Sequence, residues 1–124
     1  MTTFAPEHAA VWFEIPVGDL ARAKAFYGAV LGAPLKDEEM GGNPTAIFPA
    51  AGKDSVAGHL YPGKPATAGT GNTIHLRSPE PLEAALERVR DNGGTVASPI
   101  IAIPAGRFAY CLDPDGNSIG LFGR

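Results

Sequence analysis

Trp12-Phe13-Glu14-Ile15-Pro16-Val17-Gly18-Asp19-Leu20 is answered further along the chain by Thr73-Ile74-His75-Leu76-Arg77-Ser78-Pro79-Glu80-Pro81. Each stretch opens as a strand, turns, and leads into a segment of helical periodicity that stops at Gly32 or Gly93. The offset is 61 at both ends (73 − 12 and 93 − 32). Strand, turn, helix and stop thus recur in step, which marks an internal repeat. Half of a 124-residue chain is thin for an independent core, so the halves are expected to complete each other around a cleft.

Working outward from Asp19, its carboxylate is placed to cap a helix. Leu20, Ala23, Tyr27, Val30 and Leu31 give that helix one apolar face. Strands are expected at 9–17, 35–40, 45–49 and 55–61. Residues 62–71, rich in Pro, Gly and Thr, read as a linker. The second half restarts with a strand at 72–77, and Ser78 is the expected cap of the next helix. Leu82, Ala85, Leu86 and Val89 form its buried stripe, with Glu83, Glu87, Arg88 and Arg90 toward water. Asn92-Gly93-Gly94 ends it. Strands at 95–97, 107–112 and 118–122 follow, the last two joined by the hairpin signal Asp113-Pro114-Asp115-Gly116-Asn117.

A net charge of −3 and ten scattered basic residues argue against nucleic acid as a partner. The longest apolar run falls short of a bilayer span, and the first residues lack the pattern of a signal peptide. The lone Cys111 has no internal disulfide partner and no basic neighbours to activate it, so it reads as a small buried hydrophobe. The expectation is a single soluble cytoplasmic domain, with modules at about 9–61 and 72–124.

Val17-Gly18-Asp19-Leu20 with Ala23, Phe26-Tyr27 and Val30-Leu31-Gly32, then Asn92-Gly93-Gly94, Asp113-Pro114-Asp115-Gly116-Asn117 and Ile119-Gly120-Leu121-Phe122, resemble the vicinal oxygen chelate superfamily. That superfamily includes glyoxalase I, extradiol dioxygenases, fosfomycin-resistance enzymes and bleomycin-resistance proteins. The likeness spans nearly the whole chain. It implies an α+β fold of two tandem βαβββ modules, a curved, mainly antiparallel eight-stranded sheet around a cleft with helices outside, and a homodimer. It also implies four metal-ligand positions, one in the first and one in the last strand of each module. Two of these fall on Trp12 and Thr73, where glyoxalase-like members carry His, and one on Gly120, where they usually carry Glu. The fourth falls at Gly58 or His59. Trp, Thr and Gly together offer one weak hydroxyl, whereas a divalent ion needs several imidazole or carboxylate groups. No cofactor is therefore expected.

Alternation along a strand puts Trp12 with Glu14, and Thr73 with His75 and Arg77, on faces that line the pocket by the resemblance. Glu14 and His75 are related by the repeat and can serve as base and acid. The plainer reading pairs Glu14 with Arg77 or a loop lysine, and makes His75 a hydrogen-bonded core histidine. Trp12 offers a stacking face for a planar ligand, or packs against a helix. About half of Phe108, Tyr110 and Phe122 should face the pocket. The leading expectation is a metal-independent small-molecule-binding protein, its ligand held by Trp12, Glu14, His59, Thr73, His75 and Tyr110. The alternative is an enzyme: a metal-dependent lyase, isomerase or dioxygenase with a site rebuilt from Glu14, His59 and His75, or a metal-free acid–base catalyst. A third class, a non-catalytic interaction protein, predicts a pocket filled with side chains.

Overall fold

In the computed structural model, which describes residues 3–124, the repeat becomes two units that start alike. The first runs β1 (Phe13–Val17), α1 (Leu20–Leu31), β2 (Lys36–Met40), β3 (Asn43–Ile47) and β4 (Gly58–Pro62). The second runs β5 (Ile74–Arg77), α2 (Leu82–Asp91), β6 (Thr95–Val96), β7 (Ile101–Ile103), β8 (Gly106–Leu112) and β9 (Ser118–Gly123). The α+β class stands. The strands form two separate mixed sheets, one ordered β1-β4-β3-β2 and the other β5-β9-β8-β6 with β7 also on β8.

The first strand of each unit pairs parallel with its last, and the other pairings are antiparallel. Nine strands replace the expected eight among the described residues. The added one, β7, is only three residues long between Pro99 and Pro104, too short to show a period. It forms because Pro104-Ala105 turns it back onto β8.

Local chemistry explains most boundaries. Asp19 caps α1, its Oδ1 accepting from the Arg22 amide at 3.0 Å. Gly32 closes the helix at φ 72°, a left-handed conformation that glycine adopts without steric cost. Ser78 does not cap α2. Its amide donates to the Phe122 carbonyl at 2.8 Å, extending the β5–β9 ladder. Its hydroxyl donates to the Pro79 carbonyl, and α2 begins only after Pro81, with no side-chain cap. Arg88 is also half-buried rather than solvated, donating to the Val30 carbonyl at the end of α1 at 3.2 Å.

One apolar cluster draws on both units: Ile15, Val17, Phe26, Tyr27, Val30 and Leu60 from the first, Leu76, Leu82, Val89, Cys111, Ile119 and Leu121 from the second. A polar joint reinforces it. Asp113, only 3% exposed, accepts from the Tyr27 hydroxyl at 2.6 Å and from the Asp115 and Asn117 amides at 2.9 Å. Asn117 Nδ2 reaches the Pro16 carbonyl, and Asp115 Oδ1 accepts from the Gly18 amide and the Arg22 guanidinium. The turn between β8 and β9 thereby grips the end of β1 and the start of α1. No helix among the described residues is long and apolar enough to cross a membrane.

Candidate functional site

With Ile15 and Val17 buried in the core, Glu14 faces outward by the two-residue period of a strand. The parallel β1–β4 register sets His59 directly opposite Glu14. His59 Nε2 lies 3.3 Å from Glu14 Oε1, while Trp12 Nε1 donates to His59 Nδ1 at 2.9 Å. Both imidazole nitrogens are thus engaged. Trp12 is 42% exposed and His59 only 6%, so the indole roofs the imidazole. Glu14 therefore pairs with His59 rather than with Arg77 or a loop lysine.

The second unit repeats this register with different residues. His75 stands opposite Gly120 in the β5–β9 ladder, as Glu14 stands opposite His59. The 61-residue offset relates 14 to 75 and 59 to 120. Of Gly58 and His59, it is His59 that stands at the place equivalent to Gly120 in the two ladders. At Gly120 the space for a side chain is already filled, because a Cβ there would collide with the His75 imidazole.

His75 is not a hydrogen-bonded core histidine. It lies on the open face, edge-on to Phe108 and Tyr110 at ring-centroid distances of 5.5 and 5.8 Å. Phe122 stacks on Phe108 at 6.0 Å and carries the Arg77 guanidinium 5.3 Å above its ring. All three aromatics of the closing strands share this face, but none of them lines the clefts described next. Thr73 Oγ1 and Ser118 Oγ share a hydrogen bond of 2.6 Å.

The clefts divide these residues. Glu14 and His59 line one of about 580 Å³ with Met40, Thr45 and Tyr61. Trp12 lines a neighbour of about 390 Å³ that carries Lys36 and Lys53. His75 and Arg77 line a third, of about 540 Å³, against Phe13, Phe48 and Val56. Among the described residues, no three His, Cys, Asp or Glu side chains converge, so Glu14, His59 and His75 do not form a triad within one chain. Cys111 is buried, and desolvation pushes its thiol up to about 11, which leaves it unreactive at neutral pH.

Sequence reading missed Met40, Thr45 and Tyr61 as cleft residues. Tyr61 was within reach, since it lies two positions from His59 on the same strand, but the facing of His59 was open. Met40 and Thr45 depend on the β2–β3 hairpin, whose acidic first strand shows no alternation.

A family model described as the Glyoxalase/Bleomycin resistance protein/Dioxygenase superfamily matches residues 8–121. Among solved structures, a glyoxalase/bleomycin resistance protein from Albidiferax ferrireducens is similar with a TM-score of 0.73 and 25% identity, covering 94% of this chain and 99% of the other. TnmS3, an antibiotic binding protein from a Streptomyces species, gives a TM-score of 0.66 and 28% identity over 98% of both chains. The fosfomycin resistance protein FosX from Mesorhizobium loti shares the fold at 17% identity, with a TM-score of 0.66 over 97% of this chain and 94% of the other. No curated protein matches. On a family match that runs almost end to end, the chain belongs to the Glyoxalase/Bleomycin resistance protein/Dioxygenase superfamily.

Proposed function

We propose that this protein binds a small organic molecule on the open faces described above, without the metal site of its superfamily. The state of His59 carries this reading. Of the four ligand positions, Trp12, Thr73 and Gly120 supply at most one hydroxyl, and His59 alone supplies an imidazole. Its Nδ1 is occupied by the Trp12 indole and its Nε2 by Glu14. A divalent ion would have to displace one of these and find two or three further donors, so the donor set does not fit it. What remains suits recognition: an exposed indole, a carboxylate, and aromatic rings on both sheets. The likeness to TnmS3 at 28% identity supports the same direction. By likeness to the superfamily, the expected form is a cytoplasmic homodimer.

The test uses the chain's single tryptophan. Emission from Trp12 should respond saturably to a ligand drawn from a panel of aromatic natural products, and elemental analysis of the same protein should show no stoichiometric metal. A stoichiometric transition metal, or no response to any panel member, would overturn the proposal. A second reading, a metal-free acid–base enzyme, finds its carboxylate–imidazole pair within one chain in Glu14 and His59, whereas Glu14 and His75 line different clefts. Loss of turnover of an identified substrate in folded Glu14→Gln would favour it.

A further inference from the structure

We propose that the cleft beside Glu14 selects ligands that carry a cationic nitrogen on an aromatic or apolar body, with Glu14 as the counter-ion. This rests on the binding reading above and names the ligand chemistry for the same face.

An indole N–H can only donate, so His59 Nδ1 must accept, and the ring proton sits on Nε2, toward Glu14. With Nδ1 accepting, the imidazole brings no charge to its 3.3 Å contact with Glu14 Oε1 and does not cancel that of the carboxylate. Glu14 keeps its second oxygen free, and its side chain is 64% exposed toward the cleft mouth. Among the described residues, no Lys or Arg lines this cleft, and Arg77 of the second unit lies over Phe122. The rest of the lining includes Met40, Thr45 and Tyr61, none of them charged.

A polarisable thioether and a phenol ring beside a carboxylate suit a soft organic cation better than a strongly hydrated metal ion. Across Trp12, the next cleft carries Lys36 and Lys53, so the indole stands between an acidic and a basic recess. A planar ligand on Trp12 is thereby oriented, its positive end toward Glu14.

The experiment is calorimetric titration at neutral pH with three probes of one ring system: N-methylquinolinium, neutral quinoline and anionic quinoline-2-carboxylate. The cation is expected to bind about tenfold tighter than quinoline, a preference that Glu14→Gln abolishes while quinoline affinity stays unchanged. Raising salt should weaken only the cation. Retention of native Trp12 emission in the variant verifies that it is folded, and Glu14→Asp should keep part of the preference. Equal binding of cation and quinoline, a preference that survives Glu14→Gln, or tighter binding of the carboxylate would overturn this inference and leave the binding reading standing. Failure of all three probes to bind at millimolar concentration would overturn this inference, and the natural-product panel then decides the binding reading separately.

Discussion

Trp12 and His59 are 47 residues apart, yet each gives the other its role. The indole fixes which imidazole nitrogen carries the proton, and the imidazole holds the indole over the cleft. Trp12→Phe keeps most of the apolar area but leaves a nearly buried ring nitrogen without a donor. It should cost about 1–2 kcal/mol in a denaturant titration, whereas His59→Gln, which keeps Trp12 and can still accept from its indole, should cost less. Equal stability of Trp12→Phe and the parent would show that solvent replaces the bond freely. Of the site, the pairing of positions 14 with 75 and 59 with 120 was legible, because strand alternation and the repeat are local patterns. The sequence did not show how His59 is used, since that depends on the β1–β4 register and on a side chain outside either strand. The offset of 61 projects Gly120 back onto position 59, so the register itself was within reach.

At the scale of elements, α1 was legible from both ends because its start and stop are chemical events within one turn, at Asp19 and Gly32. The start of α2 was not, because Ser78 is claimed by β9 and the chain stays extended to Pro81. A capping propensity lost to a sheet hydrogen bond, which no local reading contains. In its first turn α2 carries Glu83, which meets Arg107 on β8 through two bonds of 2.8 and 3.0 Å. That guanidinium, helped by the backbone, holds the Glu83 carboxyl at about 2, down from 4.5. A lowered folded-state pKa makes the contribution of this pair present above the ordinary carboxylate range and lost as pH falls toward 2. An NMR titration should place the Glu83 midpoint near 2, and Arg107→Gln should return it toward 4.5. An unchanged midpoint in the variant would remove Arg107 as the cause. The turn between β8 and β9 is more sensitive. Burial, followed by the adjacent Asp113 carboxylate, raises the Tyr27 phenol well above its ordinary range, which keeps it a donor to Asp113 at neutral pH. Tyr27→Phe is expected to destabilise by about 1–3 kcal/mol, and Asp113→Ala by more, since several donors lose one buried acceptor.

For the whole molecule, the shared apolar cluster and the turn that grips β1 argue that the two units unfold together. Calorimetry should give a single transition whose calorimetric and van't Hoff enthalpies agree. Two resolved transitions would mean that each unit holds its own stability. The repeat foretold two matched units and their helices, because periodicity survives in each half. It did not foretell how they are joined, because Asp113 and Asn117 fall at the offset of 61 on Gly52 and Val56, so the repeat carries no trace of the joint. That joint also bears on how the protein is made. Gly18 and Asp115 are 97 positions apart, and Pro16 and Asn117 are 101 apart. During translation the first strand leaves the ribosome long before the turn that satisfies it has been synthesised. β9, laid down last, fills an interior place in its sheet between β5 and β8. A nascent chain halted short of that turn would leave the Pro16 carbonyl and the Gly18 amide at the end of β1 without their partners, and β5 without the strand that joins it to β8.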